Sequence, residues 1–149
     1  MIETIIEDDA WRDALPDAQE IAARCQTAAA AFEPETMREI AVLWCDDAVI
    51  ANLNAKFRNK AGATNVLSFP SGAAAGFLGD IALARETCMR EAVEKDIALR
   101  DHAAHLIIHA MLHLVGYDHE TDNDAMVMEA REREILASMH IADPYDANG

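Results

Sequence analysis

Three histidines near the end of the chain have types and spacing suited to binding a metal ion. His109 and His113 are four residues apart, so on a helix their imidazole rings point in the same direction. Gly116 can adopt the left-handed conformation that ends a helix, which allows the chain to turn back and bring His119 to the same point. Zinc held by three protein nitrogens keeps a fourth position for water or substrate, as in catalytic sites. The spacing therefore predicts a catalytic metal site on a late helix and its following turn.

The helix that would carry two of these ligands is apolar around almost its whole circumference. In residues 103–115, only His105, His109 and His113 are not apolar, which predicts a helix buried on nearly all sides. A buried imidazole without a partner costs roughly 1–3 kcal/mol, and a shared metal ion would remove that cost. A single histidine on such a helix is usually a hydrogen-bonded core residue. We expect His102 and His105 to be surface or core histidines, and the alternative is that they are partners of the ligand histidines. Zinc is the best-suited ion, although nickel or another divalent metal would compete in a purified sample.

The same spacing, His-x-x-x-His-x-x-Gly-x-x-His, occurs in the metzincin metallopeptidases. Those enzymes place a glutamate after the first histidine as general base, and this chain has Ala110 there. General base catalysis is typically worth about 10²–10⁴-fold, so its absence disfavours peptide hydrolysis by that route. A metal-dependent peptide or amide hydrolase stays open as an alternative if a carboxylate comes from elsewhere. The candidates are Asp80, Asp118 and Glu120.

A phosphodiester substrate requires positive charge where negative charge gathers on the phosphoryl oxygens. The chain has a formal net charge of −15, yet no acidic residue lies between Asp47 and Asp80, where Lys56, Arg58 and Lys60 cluster. Arg58 is the candidate catalytic residue because its planar, permanently charged fork suits phosphate oxygens, and the two lysines are candidate substrate-binding residues. On charge alone, a solvated basic helix end is an equally good interpretation, and spacing does not place Arg58 near the metal.

The elements that would position these residues alternate between helices and strands. We expect strands at residues 2–6, 39–45, 64–69 and 79–84, the last two paired as in a hairpin, with residues 71–79 forming a loop over a site. We expect helices at 16–31, from Asp46 or Asp47 to 57, at 86–98, at 101–115, and from Asp122 or Asp124 to 139. The solvent side of the last helix would carry Glu129, Arg131, Glu132, Arg133 and Glu134. The prediction is one α+β domain over residues 1–149, with about five helices packed on a mixed sheet of about four strands.

The cysteines and the N-terminus indicate where such a protein would work. Cys25, Cys45 and Cys88 are an odd, scattered set, which predicts reduced, buried thiols and no disulfide-linked partner. The acidic N-terminus is not that of a signal peptide. No apolar run approaches the roughly 20 residues that cross a bilayer. We expect a cytoplasmic protein that does not bind membranes.

Four sequence blocks, in order over roughly residues 40–135, resemble the YbeY family. They are Leu53–Arg58, Thr64–Pro70, Leu78–Ile81 and the histidine run 109–119. The resemblance implies a bacterial metal-dependent endoribonuclease of 16S ribosomal RNA maturation and ribosome quality control, with a small α/β sandwich fold. It implies that His109, His113 and His119 are zinc ligands and that Arg58 is the catalytic arginine. It also implies ribosomal RNA as substrate, and a small-subunit ribosomal protein and an assembly GTPase as partners.

The leading hypothesis from sequence is thus a zinc-dependent endoribonuclease that cuts single-stranded segments of ribosomal RNA. The first alternative is the peptide or amide hydrolase related to metzincins. The second is a non-catalytic ribosome-assembly factor in which the metal only pins the last two helices together. In that case removal of the metal should unfold the domain. Ala110 stands where the family usually has glycine, and Ala61-Gly62-Ala63 replaces an acid and a proline, but both departures leave the metal ligands intact.

Overall fold

A four-stranded mixed sheet organises the part of the chain that the computed structural model describes, residues 2–71 and 76–145. The order across the sheet is β1, β2, β4 and β3. The first three of these run parallel, and β3 pairs antiparallel with β4, which confirms the predicted hairpin-like pairing. Among the described strands β3 pairs with β4 alone, so it forms an edge of the sheet. The strands are β1 (Ile2–Ile6), β2 (Glu39–Cys45), β3 (Val66–Pro70) and β4 (Phe77–Ala84).

Six α-helices accompany the sheet in the described residues, with a short 3₁₀ helix at Pro34–Met37. The predicted helix at 16–31 begins at Ala18, and a separate five-residue helix precedes it. That extra helix exists because Trp11 is fully buried and its indole N–H donates to the Cys45 carbonyl at 2.7 Å. The helices are α1 (Ala10–Ala14), α2 (Ala18–Phe32), α3 (Asp47–Arg58), α4 (Arg85–Glu94), α5 (Leu99–Leu114) and α6 (Asp122–Ser138).

The strands place alternate side chains on the two faces of the sheet. On β2, Val42 and Trp44 join the large core shared with α2, α5 and α6, whereas Leu43 and Cys45 face α3. Helix α5 packs against α2, α4, α6, β3 and β4, and most of its residues are buried. The prediction that this helix is buried on nearly all sides is confirmed. A helix enclosed by its neighbours therefore carries His109 and His113.

The three cysteines are free and buried, as predicted for reduced thiols. Burial raises the pKa of Cys25 to about 12 and that of Cys45 to about 12, so both remain protonated at neutral pH. Among the described residues, no helix combines the length and apolar content needed to cross a bilayer. Within the predicted loop at 71–79, residues 72–75 lie outside the described part of the chain, and β4 already begins at Phe77.

Candidate metal centre

The three predicted ligands converge at one point. The Nε2 atoms of His109 and His113 lie 3.1 Å apart, and the ring of His119 has its centroid 5.0 Å from that of His113 and 5.6 Å from that of His109. One nitrogen from each of the three lies within 4.8 Å of the others. Tetrahedral zinc, with Zn–N distances of about 2.0–2.1 Å, separates its nitrogen ligands by about 3.3 Å. The arrangement is close to that needed to hold one such ion.

The turn after α5 delivers the third histidine. Gly116 has φ +109°, in the left-handed region that favours glycine. The Tyr117 N–H donates to the Leu112 carbonyl at 3.0 Å, a bond across five residues that closes helix ends of this type. The Tyr117 hydroxyl donates to Glu33, directly after α2, at 2.8 Å. The turn is therefore fixed both to its own helix and to a neighbouring one, and His119 follows two residues later.

The hydrogen-bond partners of the two helical histidines determine which ring nitrogen is free. Nδ1 of His113 lies 2.9 Å from the Tyr117 carbonyl oxygen, which can only accept, so Nδ1 carries the proton. Nδ1 of His109 donates in the same way to the Glu132 carboxylate. When both rings are neutral, the form that binds metal, the two Nε2 atoms present lone pairs to each other at 3.1 Å. Two facing lone pairs repel, and a cation between them removes the repulsion, so the donor set fits a metal ion.

The charge states of these groups agree with ligation. Burial alone would raise the pKa of Glu132, but hydrogen bonds from His105 and His109 outweigh it and hold that pKa at about 2. The carboxylate is therefore ionised and accepts hydrogen bonds from its neighbours. Burial, together with the adjacent His109, lowers the pKa of His113. A neutral imidazole is the form that binds metal, so the site is prepared for ligation at neutral pH.

Glu132 corrects one expectation from the sequence. The sequence predicts it on the solvent side of the last helix, but its exposed fraction is 0%, and that prediction is wrong for this residue. The residue shares its face with Met128, Ile135 and Leu136, which are also buried. Spacings of three and four residues would have placed Glu132 on this buried stripe. The other four charged residues assigned to that side are at least partly exposed: Glu129, Arg131, Arg133 and Glu134.

Two more histidines lie on α5, and both are core residues with carboxylate partners. His102 is fully buried, and its Nε2 lies 2.8 Å from Glu91 on α4. His105 Nε2 lies 3.0 Å from Glu132. Of the positions that the sequence left open, the core position is the one observed for both. His105 nevertheless contacts the same carboxylate that holds His109.

Arg58 reaches the free edge of the sheet from the end of α3. The helix ends there because Asn59 adopts the left-handed conformation, with φ 54°. The Arg58 guanidinium donates to the Ser68 carbonyl on β3 and lies 5.4 Å from the centroid of the Phe69 ring. These two contacts fix the direction of the side chain across the edge strand.

Arg58 and the three histidines line one cleft, which we term the histidine cleft, with a volume of about 590 Å³. Lys60 also lines it, and so does Lys95, which the sequence analysis did not single out. Lys56 is not among the lining residues, and its ammonium lies 5.5 Å from the centroid of the Phe57 ring. None of the described residues that line the cleft is acidic. They are Arg58, Lys60, Thr64–Ser68, Pro70, Lys95, His105, Leu106, His109, Ala110, His113, His119 and Tyr145.

The carboxylates considered as possible general bases lie away from this cleft. Asp80 lines an apolar groove on the α3 face of the sheet with Phe57 and Phe69, and burial raises its pKa. Asp118 and Glu120 are exposed and are not among the described lining residues. The described geometry therefore offers none of these three groups as a base beside the histidines.

Three histidines converge beside a mixed sheet in an α+β fold, and they line a cleft whose charged side chains include three cations. This combination is typical of a metal-binding hydrolytic enzyme. Comparison with known proteins gives the family. The family model described as Endoribonuclease YbeY matches residues 5–140 of this chain. A protein of Maricaulis maris named Endoribonuclease YbeY is 48% identical over 97% of this chain and 91% of its own length. One of Azorhizobium caulinodans with the same name is 46% identical over 97% and 95%. The chain belongs to the YbeY family.

A solved structure gives the same fold at much lower sequence identity. The solution structure of a Thermotoga maritima protein matches with a TM-score of 0.61 and 19% identity, covering 98% of this chain and 99% of the other. At that identity the likeness concerns the fold alone. It confirms the α+β class predicted from sequence.

Proposed function

We propose that this chain is a zinc-dependent endoribonuclease that cuts single-stranded segments of ribosomal RNA. The observation that carries the proposal is the histidine cleft itself. Its described lining residues combine three candidate metal ligands with three cations and no acid, in a chain whose net charge is −15. Such a local reversal of charge suits a phosphodiester. The relatives' name, Endoribonuclease YbeY, supports the same activity.

Arg58 would stabilise the charge that builds on the phosphoryl oxygens. A guanidinium has five N–H donors, and the bond to the Ser68 carbonyl uses one of them. That bond and the Phe69 ring orient the side chain before substrate arrives, so little reorganisation is needed in the transition state. Among the described residues no other acceptor is hydrogen-bonded to this guanidinium, so its remaining donors would bind phosphate. In this proposal Arg58 is the catalytic residue.

The other polar residues of the cleft would hold the metal and the strand. His109, His113 and His119 would hold zinc through one nitrogen each, and zinc would supply a Lewis acid beside the scissile phosphate. Lys60 and Lys95 would neutralise neighbouring phosphates, which position a nucleic acid without reading its sequence.

An exposed aromatic residue beside Arg58 supports a preference for unpaired RNA. The exposed fraction of Phe57 is 59%, and its ring packs edge-on against Phe69, with centroids 5.7 Å apart. Unpaired bases stack on such rings, whereas the bases of a duplex are already stacked on one another. Phe57 lines the groove on the α3 face rather than the histidine cleft, so we include it as a contact for a base of the same strand outside the cleft.

The biological setting follows from the family resemblance. We propose that the substrate is the precursor of 16S ribosomal RNA, cut in the cytoplasm during maturation and ribosome quality control, with residues 1–149 acting as one domain. The acidic body would limit RNA affinity outside the cleft. Delivery by a small-subunit ribosomal protein and an assembly GTPase would compensate for this.

The two alternatives have less support. A peptide or amide hydrolase needs a general base, and Asp80, Asp118 and Glu120 do not line the cleft. Glu132 lies on the Nδ1 side of His109, away from the nitrogen that would bind metal. In a non-catalytic assembly factor the metal would be structural, but α5 is already enclosed by the apolar core.

The test is cleavage of a precursor small-subunit ribosomal RNA fragment by zinc-loaded proteins. We expect wild type to cut unpaired segments, His113→Ala to be inactive, and Arg58→Ala to be about 10²–10³-fold slower. Arg90→Ala is the charge-matched control, because Arg90 is exposed on α4 and pairs only with Glu94 among the described residues. It should cut like wild type. Equal cleavage by all variants would reveal a contaminating nuclease, and no cleavage by any would reject the proposal.

A further inference from the structure

Glu132 is a fully buried carboxylate with three hydrogen-bond donors around it. One oxygen accepts from Nδ1 of His109. The other accepts from the Tyr145 hydroxyl and lies 3.0 Å from Nε2 of His105. Because both oxygens are engaged on different partners, the carboxylate cannot rotate without breaking a bond. Its position is therefore set from two sides, by α5 and by the segment after α6.

That segment is itself fixed in place. The Tyr145 N–H donates to the Asp143 carboxylate at 2.8 Å, and the same carboxylate accepts from Arg133 at 3.0 Å. The Arg133 guanidinium lies 5.4 Å from the centroid of the Tyr145 ring. Burial and the adjacent Glu132 raise the pKa of Tyr145, so its hydroxyl stays protonated and continues to donate. Residues 143–145 thus form a strap across the outer side of Glu132.

We propose that Glu132, held by His105 and Tyr145, is the positioning residue of the metal centre. It fixes the Nδ1-protonated form of His109 and directs Nε2 toward the ion. It also makes Nε2 a stronger electron-pair donor to the metal. A carboxylate behind a metal-binding histidine has this effect in other metal sites. The inference rests on the proposed zinc site, but not on which bond the enzyme cuts.

A second set of potential ligand atoms, from His105, His109 and Glu132, also lies within 4.8 Å. Its geometry is that of hydrogen bonds rather than of a second ion. His109 cannot give its Nδ1 proton to Glu132 and also offer Nδ1 as a ligand. We therefore expect one zinc ion per chain.

The structure supplies a matched control on the same helix. Glu91 accepts from His102 at 2.8 Å, so it too is a carboxylate paired with a buried histidine of α5. His102 is not one of the three converging ligands. Loss of Glu91, whose side chain is 26% exposed, should therefore remove a carboxylate–histidine pair from the same helix without changing the metal centre.

The experiment measures zinc affinity by competition with a chromophoric chelator at fixed pH, and the unfolding free energy of each zinc-free variant in denaturant. We expect Glu132→Gln to bind zinc about 10–100-fold more weakly. Tyr145→Phe should weaken binding in the same direction but less, and Glu91→Gln should bind like wild type even if its stability falls. If Glu132→Gln does not fold, Tyr145→Phe still tests the proposal. Weaker zinc binding by Tyr145→Phe than by Glu91→Gln would support the positioning role, and equal binding would contradict it.

A second readout follows the ring itself. Nitrogen NMR of the zinc-free protein should show His109 protonated on Nδ1 in wild type and a mixture of the two neutral forms in Glu132→Gln. Unchanged affinity in both Glu132→Gln and Tyr145→Phe, equal weakening in Glu91→Gln, or two zinc ions per chain would overturn the positioning role. Failure of wild type to bind zinc at all would instead count against the proposed function.

Discussion

The Nε2 atoms of His109 and His113 lie 3.1 Å apart, with both Nδ1 atoms bound to acceptors on the outer sides of their rings. The Tyr117 carbonyl and the Glu132 carboxylate thus hold the two neutral rings with their Nε2 lone pairs facing each other. A cation that binds between the rings removes the repulsion between these lone pairs. Metal binding should therefore stabilise a domain that is folded without it.

Zinc should raise the unfolding free energy of wild type without being required for folding. At free zinc 100 times the dissociation constant, one site adds about 2.7 kcal/mol. His113→Ala should lose at least about 100-fold in affinity, more than the 10–100-fold loss typical when only the outer partner of a ligand is removed. Denaturant titrations with and without zinc measure both effects. Unfolding of wild type on removal of zinc would instead support the non-catalytic, metal-pinned alternative.

Removal of a cleft lysine should reduce the salt dependence of RNA binding. Lys60→Ala and Lys95→Ala each take away one potential phosphate contact, so the slope of log affinity against log salt for a single strand should fall by about 0.7. Fluorescence anisotropy with a labelled oligoribonucleotide at several salt concentrations measures it. The charge-matched control is Arg90→Ala, which should leave the slope unchanged. A similar decrease in all three variants would show that the effect comes from net charge rather than from the cleft.

Phe57→Ala should weaken binding of single-stranded RNA, because loss of one base–aromatic stack costs about 1–3 kcal/mol, or about 5–150-fold in Kd. Phe57→Trp should retain binding. Lys56, which lies over the same ring, should matter only if the strand reaches Phe57. Val93→Ala, at a residue on α4 that is 81% exposed, is the control for loss of surface apolar area. Equal binding by Phe57→Ala and wild type would remove the stacking contact from the proposal.

The Glu91–His102 pair should make stability depend on acid pH. Burial alone would raise the pKa of Glu91, but hydrogen bonds from His102 and Asn65 outweigh it and hold that pKa below the usual 4.5. In the unfolded chain Glu91 takes up its proton near 4.5, so its stabilising contribution is complete above that pH and is lost as the pH falls toward the folded-state value. Glu91→Gln should be less stable than wild type at pH 7. The difference should shrink below pH 4.5, as measured by denaturant unfolding of zinc-free protein, and a difference that is constant with pH would contradict this origin.

The residues that sequence could identify are those with a local signal. His109 and His113 share a helix face through their spacing, and Gly116 indicates the reversal that brings His119 back. Glu132 had a signal too, its position on the buried stripe of α6, but its charge suggested solvent. A charged residue enters a core only with specific partners, and here those partners come from α5 and from beyond the end of α6.

Other parts of the site depend on contacts between distant segments, which no local pattern encodes. Tyr145 reaches Glu132 because residues 143–145 fold back over it. Lys95, the residue directly after α4, lines the cleft. The short helix α1 has the same cause, since Trp11 is anchored to Cys45 in a distant strand. The strand order β1, β2, β4, β3 likewise depends on pairing between separated segments, and the sequence analysis predicted only the pairing of β3 with β4.

The bond from Arg58 to Ser68 has a consequence for solubility. An edge strand with free carbonyl groups is a template for another strand, and proteins protect such edges with charged side chains. By occupying the Ser68 carbonyl, Arg58 obstructs the addition of a foreign strand to β3. The residue proposed to act on phosphate should thus also disfavour self-association through β3, and its loss should increase aggregation as well as slow the chemistry.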